Sequence, residues 1–163
     1  AARGLGDVSC GLIADGHHVD PLSIGIALRA KQGPGHVFLV TDAMSSIGTD
    51  EQSFELNGRQ VYRRDGQLTL ADGTLAGADI DMLSCVRFVH EEIGLPVEEA
   101  IRMATLYPAD AAGMPETGRL REGLPADFLV LSETLEIRSA VARGRWTSPC
   151  SRAALDARSG IPQ

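Results

Sequence analysis

The stretch Gly11-Leu-Ile-Ala-Asp-Gly-His-His-Val-Asp-Pro21, followed at a helix's length by His36-Val-Phe-Leu-Val-Thr-Asp42, decides the fold. Each half is a short apolar run that ends in a polar cluster, the pattern of a strand emerging from a sheet. Between them, Asp20-Pro21 reads as an N-cap with proline at the first helical position. Leu22, Ile24, Ala27 and Leu28 follow at broadly helical spacing, and Gly33-Pro34-Gly35 stops the helix. Residues 11–42 therefore predict one βαβ unit, which implies a parallel sheet with a right-handed crossover and strand ends side by side. The continuous apolar run Val37-Phe-Leu-Val40 predicts a strand buried on both faces. Parallel sheets build their sites at the C-terminal strand ends, so His18 and Asp42 are the first candidates for chemistry.

The bulk composition bounds the rest. A chain of 163 residues with 44% hydrophobic and 23% charged residues fits one ordinary globular domain. No apolar run approaches the roughly 18 residues of a membrane span. The start, Ala1-Ala-Arg-Gly-Leu-Gly-Asp7, lacks the apolar core of a signal peptide, so the expected location is cytoplasmic. A formal charge of -7 disfavours nucleic acid or an anionic membrane as partner. Cys10, Cys85 and Cys150 stand far apart with no CxxC pair, which argues against a disulfide framework or a structural zinc site. Cys10 and Cys85 are expected to be buried and Cys150 to be a tail thiol.

Beyond Asp42, a polar loop leads to Ser53-Phe-Glu-Leu-Asn-Gly-Arg-Gln-Val-Tyr62, in which Asn57-Gly58 signals a type I′ hairpin. A second turn at Asp65-Gly66 extends this to a β-excursion over about 52–72. Asp79 is the expected N-cap of a helix running to about Ile93, with Ile80, Leu83, Val86, Val89 and Ile93 on the buried stripe. A further helix from Pro96 or Val97 to about Leu106 would bury Ala100, Ile101 and Ala104, and Pro108–Gly113 reads as a short turn. From Gly118 the period becomes that of strands, at 127–131 and 137–143, and residues from about Thr147 read as a frayed tail.

The stretches Gly11–Asp20, Leu39-Val-Thr-Asp-Ala43, Gly73-Thr-Leu-Ala-Gly-Ala78, Met103-Ala-Thr-Leu-Tyr-Pro-Ala109 and Gly123-Leu-Pro-Ala-Asp-Phe-Leu-Val-Leu131 together resemble the C-terminal part of the N-acetylglucosamine-6-phosphate deacetylases, in the amidohydrolase superfamily. The resemblance covers roughly residues 8–146. It implies an α/β fold in which the first two strands are the seventh and eighth of a (β/α)₈ TIM barrel. Residues 1–113 would form the C-terminal part of that barrel with its hairpin insertion. Residues 114–146 would return to a small β-sandwich, and 147–163 would be tail. On this likeness the chain amounts to about two fifths of such an enzyme. The family's metal ligands, a glutamate and two histidines, would lie outside it.

The resemblance also assigns roles. Asp42 matches the catalytic aspartate, and amide hydrolysis needs a group that takes a proton from water and gives it to the leaving amine. His18 is placed beside the sugar phosphate, where an imidazole can hydrogen-bond to substrate oxygens. Leu75, Ala76 and Gly77 are implied as substrate contacts through backbone N–H groups ahead of a helix. The family often has serine where Ala78 stands, which leaves backbone contacts there. A divalent metal, zinc or iron, is the implied cofactor, and a homodimer acting on an amino-sugar phosphate the implied state. His17 is expected near the surface, and Asp15 and Asp20 to be structural. Arg63-Arg64 reads as a solvated pair, and His36 and His90 carry no role. Arg3 falls too late to match the family's phosphate-binding arginine.

Two other readings stand beside this one. Another metal-dependent amidohydrolase would share the strand-end aspartate but not the Ala14-Asp-Gly-His-His-Val19 run. A non-catalytic fragment or assembly module is the alternative from a different class, because two barrel strands cannot close a barrel.

Overall fold

A computed structural model describes residues 5–146. The tail from Thr147, Cys150 and Arg3 lie outside the described residues. The chain divides into two compact units, residues 1–113 and 114–163.

In the first unit, β1 (Cys10–Ile13) and β2 (Val37–Val40) pair in parallel, with Leu12 opposite Leu39, and α1 (Pro21–Ala30) crosses between them. Asp20 caps α1, accepting the Leu22 N–H at 2.9 Å and the Ser23 N–H at 3.4 Å, as its place before proline predicts. Past the helix, the Lys31 ammonium donates to the carbonyls of Gly6, Gln32 and Gly35, which ties the entry to β2 back onto the approach to β1.

Burial of this unit departs from the expected pattern. Of the run 37–40, Leu39 alone is fully buried, because β2 has a single strand neighbour among the described residues. On α1, Ile24 is buried while Leu22 is 68% exposed. Cys10 is exposed as well, at the start of an edge strand.

The excursion after β2 is a four-stranded antiparallel sheet in the order β3 (Ser53–Leu56), β4 (Arg59–Arg64), β5 (Gln67–Leu70) and β6 (Leu75–Ala78). Asn57 and Gly58 have φ of 51° and 75°, and Asp65 and Gly66 50° and 77°, the two positive values a type I′ turn requires. Val61, Leu68 and Leu70 form its buried cluster, with Met44, Phe54, Leu56 and Ala76 packed against them.

The span Leu75–Ala78 is thus a strand and not the pre-helical turn expected from sequence. β5 captures it, pairing Leu68 with Gly77 and Gln67 with Ala78. The helix consequently starts later than the spacing predicts. Its cap is Asp81, whose carboxylate accepts from both the N–H and the hydroxyl of Ser84, and α2 runs over Met82–Glu91. Asp79 is diverted to an ion pair with Arg63.

Next come α3 (Val97–Ala104) and α4 (Leu106–Ala111), so of the turn expected over Pro108–Gly113 the first four residues belong to a short helix that begins at Leu106. The buried members of α3 are Ala100 and Met103. Ala100 is inside as expected, whereas Ile101, also expected inside, is exposed and Met103 takes the second buried position. His36 stacks on Tyr107 with ring centroids 3.9 Å apart, and His90 Nδ1 lies 2.7 Å from the Leu95 carbonyl oxygen, so both have structural partners.

Cys85 on α2 is fully buried, and that burial pushes its thiol up to about 11. At pH 8 its thiolate fraction is then on the order of 10⁻³. Exposed Cys10 is expected to be alkylated by iodoacetamide in the native protein while Cys85 stays unmodified, as read by peptide mass. Equal labelling of the two would contradict this packing of α2.

The second unit holds an antiparallel sheet of β7 (Phe128–Leu131), β8 (Ile137–Ala142) and β9 (Arg145–Trp146). Its β8–β9 turn is anchored by the Asp127 carboxylate, which accepts the Arg143 N–H. Leu135, at φ 55°, is buried in the turn between β7 and β8.

Candidate active site

The parallel pairing of β1 and β2 delivers two side chains to one place. Past β1 the chain turns through Ala14, Asp15 and Gly16, and Gly16 is required there. Its φ is 74°, and a Cβ at this position would stand 3.1 Å from Phe88 Cε2 on α2. The turn presents His18, and past β2 the chain presents Asp42. His18 Nε2 lies 3.9 Å from Asp42 Oδ2. That is an ion-pair distance and longer than a hydrogen bond.

The Asp42 side chain and its backbone are held differently. Its side chain is 54% exposed and makes no hydrogen bond among the described residues. Its backbone, by contrast, is held. The residue sits at φ 54°, a left-handed conformation that aspartate tolerates better than most side chains. Its carbonyl accepts the Ala78 N–H at 3.0 Å, and Ala43 and Ala78 form a parallel bridge. β6 therefore continues alongside the end of β2, and the conformation of Asp42 is set by main-chain bonds that leave its carboxylate free.

That contact also explains Gly77, where a Cβ would stand 2.7 Å from Met44 Cγ and 3.1 Å from the Asp42 carbonyl oxygen. Gly77 and Ala78 are thus brought to Asp42. Ala76 packs instead against the Val61, Leu68 and Leu70 cluster, and the exposed Leu75 pairs with Thr69. The backbone N–H of Ala78 is already spent on Asp42.

On the other side of His18 is Asp15, whose side chain is only 3% exposed. Its Oδ1 accepts the N–H groups of His17 and His18, each at 2.9 Å, and its Oδ2 lies 2.7 Å from His18 Nδ1. Burial by itself raises the carboxyl's pKa, but the hydrogen bonds from His18 and His17 outweigh it and hold the group below the ordinary aspartate value. His17 is exposed, its Nε2 3.6 Å from where a Cβ on Gly66 would stand, so the β4–β5 turn reaches toward this site.

Arg63 was expected as a solvated surface residue, and the structure overturns that. The Arg63 side chain is 17% exposed, and its guanidinium donates to the carbonyls of Ser46 and Thr49, each at 2.7 Å, while Nε pairs with Asp79 Oδ2 at 2.9 Å. It joins the loop after Asp42, the hairpin sheet and the lead into α2. Sequence carries a weak signal for this, since Arg63 alternates with buried Val61 on a strand. The partners of Arg63 are mostly backbone atoms, which no residue pattern reports. Arg64 lies over the Tyr62 ring, 4.7 Å from its centroid.

Among the described residues no group of three or more His, Cys, Asp or Glu side chains is arranged to hold a metal ion. With Asp15 committed to His18, the remaining donors are His18 Nε2 and Asp42, fewer than the three protein ligands a catalytic zinc takes. These residues alone do not fit a divalent metal centre.

The βαβ unit thus carries an aspartate at the second strand end with an imidazole beside it. The sequence profile of the amidohydrolase family matches residues 2–147, and the chain belongs to that family. Relatives of the chain include N-acetylgalactosamine- and N-acetylglucosamine-6-phosphate deacetylases. It is 42% identical over 124 residues to N-acetylgalactosamine-6-phosphate deacetylase of Shewanella sp. (strain ANA-3), covering 76% of this chain and 31% of the relative. It is 32% identical to N-acetylglucosamine-6-phosphate deacetylase of Haemophilus influenzae, covering 86% and 37%. The crystal structure of N-acetylglucosamine-6-phosphate deacetylase from Pasteurella multocida superposes with a TM-score of 0.82 at 34% identity, covering 87% of this chain and 37% of that one. The chain spans about a third of the length of these relatives.

Proposed function

We propose that this chain is part of an enzyme that hydrolyses the N-acetyl group of N-acetylglucosamine 6-phosphate to glucosamine 6-phosphate and acetate. The observation that carries the reading is the Asp42 carboxylate, free of hydrogen bonds among the described residues, at the strand end beside His18. In the reaction Asp42 takes a proton from the attacking water as its oxygen bonds to the acetyl carbon. It then gives that proton to the amine as the C–N bond breaks. His18 hydrogen-bonds to substrate oxygens, and of the Leu75–Gly77 stretch it is Gly77, packed beside Asp42, that borders the sugar.

The finer fold reading goes with this one. β1 and β2 would be the seventh and eighth strands of a (β/α)₈ barrel, β3–β6 an insertion, and residues 114–146 the return strands of a small β-sandwich. The divalent metal, zinc or iron, would be held by residues outside this chain, in a cytoplasmic homodimer of amino-sugar catabolism. The 42% identity to a galactosamine-type deacetylase favours N-acetylgalactosamine 6-phosphate as a second substrate reading.

The test is a chimera in which residues 8–146 replace the matching portion of the Shewanella relative. Acetate release from the two N-acetylhexosamine 6-phosphates and from an N-acetyl amino acid is then compared with ring opening of dihydroorotate, a cyclic amide that other amidohydrolases cleave. Release from a hexosamine phosphate is expected, and the preferred epimer separates the two sugar readings. A folded, metal-loaded chimera that cleaves only the other substrates overturns the proposal. The 163-residue chain alone is expected to show little or no turnover.

A further inference from the structure

We propose that Asp15 is a positioning residue for His18: its buried carboxylate keeps the ring proton on Nδ1 and leaves Nε2 as the atom offered to ligand beside Asp42. The inference rests on His18 being a ligand contact in the proposed reaction, although its test does not use turnover.

The two oxygens of Asp15 have separate duties. Oδ1 accepts the His17 and His18 N–H groups and is sufficient to hold the turn. Oδ2 faces Nδ1 of the His18 ring at 2.7 Å, a distance typical of a charge-assisted bond. The carboxyl is held below the ordinary aspartate value and only accepts, so Nδ1 must donate. Nε2 points the other way. At 3.9 Å from Asp42 Oδ2 it forms no hydrogen bond that would compete for the tautomer. An aspartate that orients a histidine through Nδ1 so that Nε2 can act is the logic of the hydrolytic triads.

Asp15→Asn makes this decidable. The two backbone N–H groups require an acceptor where Oδ1 now stands, so the amide carbonyl is pinned there and the NH₂ faces Nδ1. Two donors cannot share that contact. The ring must give up its Nδ1 proton and carry one on Nε2, directed at the Asp42 carboxylate. The substitution that preserves the turn thus inverts the tautomer, and the base next to it acquires a hydrogen-bond donor.

The experiment uses the 163-residue chain labelled with ¹⁵N-histidine. Two-bond ¹H–¹⁵N spectra are recorded above the histidine titration range, and the His18 signals are assigned by their loss in His18→Gln. The wild-type ring is expected to carry its proton on Nδ1 alone, and in Asp15→Asn on Nε2. A wild-type ring protonated on Nε2, a mixture of tautomers, or an unchanged pattern in Asp15→Asn overturns the proposal. If Asp15→Asn does not fold, the wild-type spectrum decides by itself. Failure here leaves acetate release by the chimera intact, and failure of that assay leaves the tautomer result standing.

Discussion

Asp42→Asn, introduced into the chimeric deacetylase, is expected to slow acetate release by roughly 10²–10⁴-fold, the usual contribution of a positioned general acid–base. Asparagine is the informative replacement because Asp42 sits at φ 54°. Like aspartate it tolerates the left-handed region, whereas a bulkier or β-branched residue would add backbone strain to any chemical effect. The bond from the Ala78 N–H to the residue 42 carbonyl is untouched, so Gly77, Met44 and the loop after β2 keep their places. Only the ability to exchange a proton is lost. A circular dichroism melt matching that of the unsubstituted chimera should accompany the rate loss. Near-normal turnover would remove Asp42 from its proposed role.

Arg63→Met should produce the largest loss of stability. The substitution keeps most of the aliphatic stem but strips the Ser46 and Thr49 carbonyls and the Asp79 carboxylate of their common partner. Hydrogen bonds to charged groups contribute about 1.5–3 kcal/mol net, and a loss of that order is expected. It would be measured by urea denaturation of the chain. Arg63→Lys should fall between the two, since an ammonium keeps the charge but cannot serve three divergent acceptors as a guanidinium fork does. Pairing Arg63→Met with Asp79→Asn in a double-mutant cycle isolates the ion pair. A loss below about 0.5 kcal/mol, the ordinary scatter of surface substitutions, would mean that the clamp contributes little to the fold.

Local elements were legible where a residue's chemistry acts on its immediate neighbours. Asp20-Pro21 starts α1 and the Asn57-Gly58 and Asp65-Gly66 turns lie where their dipeptides stand, because capping and positive φ are settled within a few residues. The adjacency of His18 and Asp42 follows from the same reasoning, since consecutive parallel strands with one helix between them end side by side. The reading failed where a distant partner decides. Leu75–Ala78 has the small residues of a turn, yet β5 offers it a free edge and the end of β2 a second neighbour, so it becomes a strand and moves the helix cap from Asp79 to Asp81.

The residue types at the strand ends, and with them a carboxylate beside an imidazole, were determined by the sequence alone, through short-range propensity and the geometry of a βαβ crossover. Only the tertiary structure decided that Asp15 spends one oxygen on its own turn and the other on the His18 ring, and that Arg63 binds three segments through two carbonyls and a carboxylate. The reason is physical. Backbone acceptors look alike in every sequence, and which of them meets a buried charge depends on how the chain returns to itself.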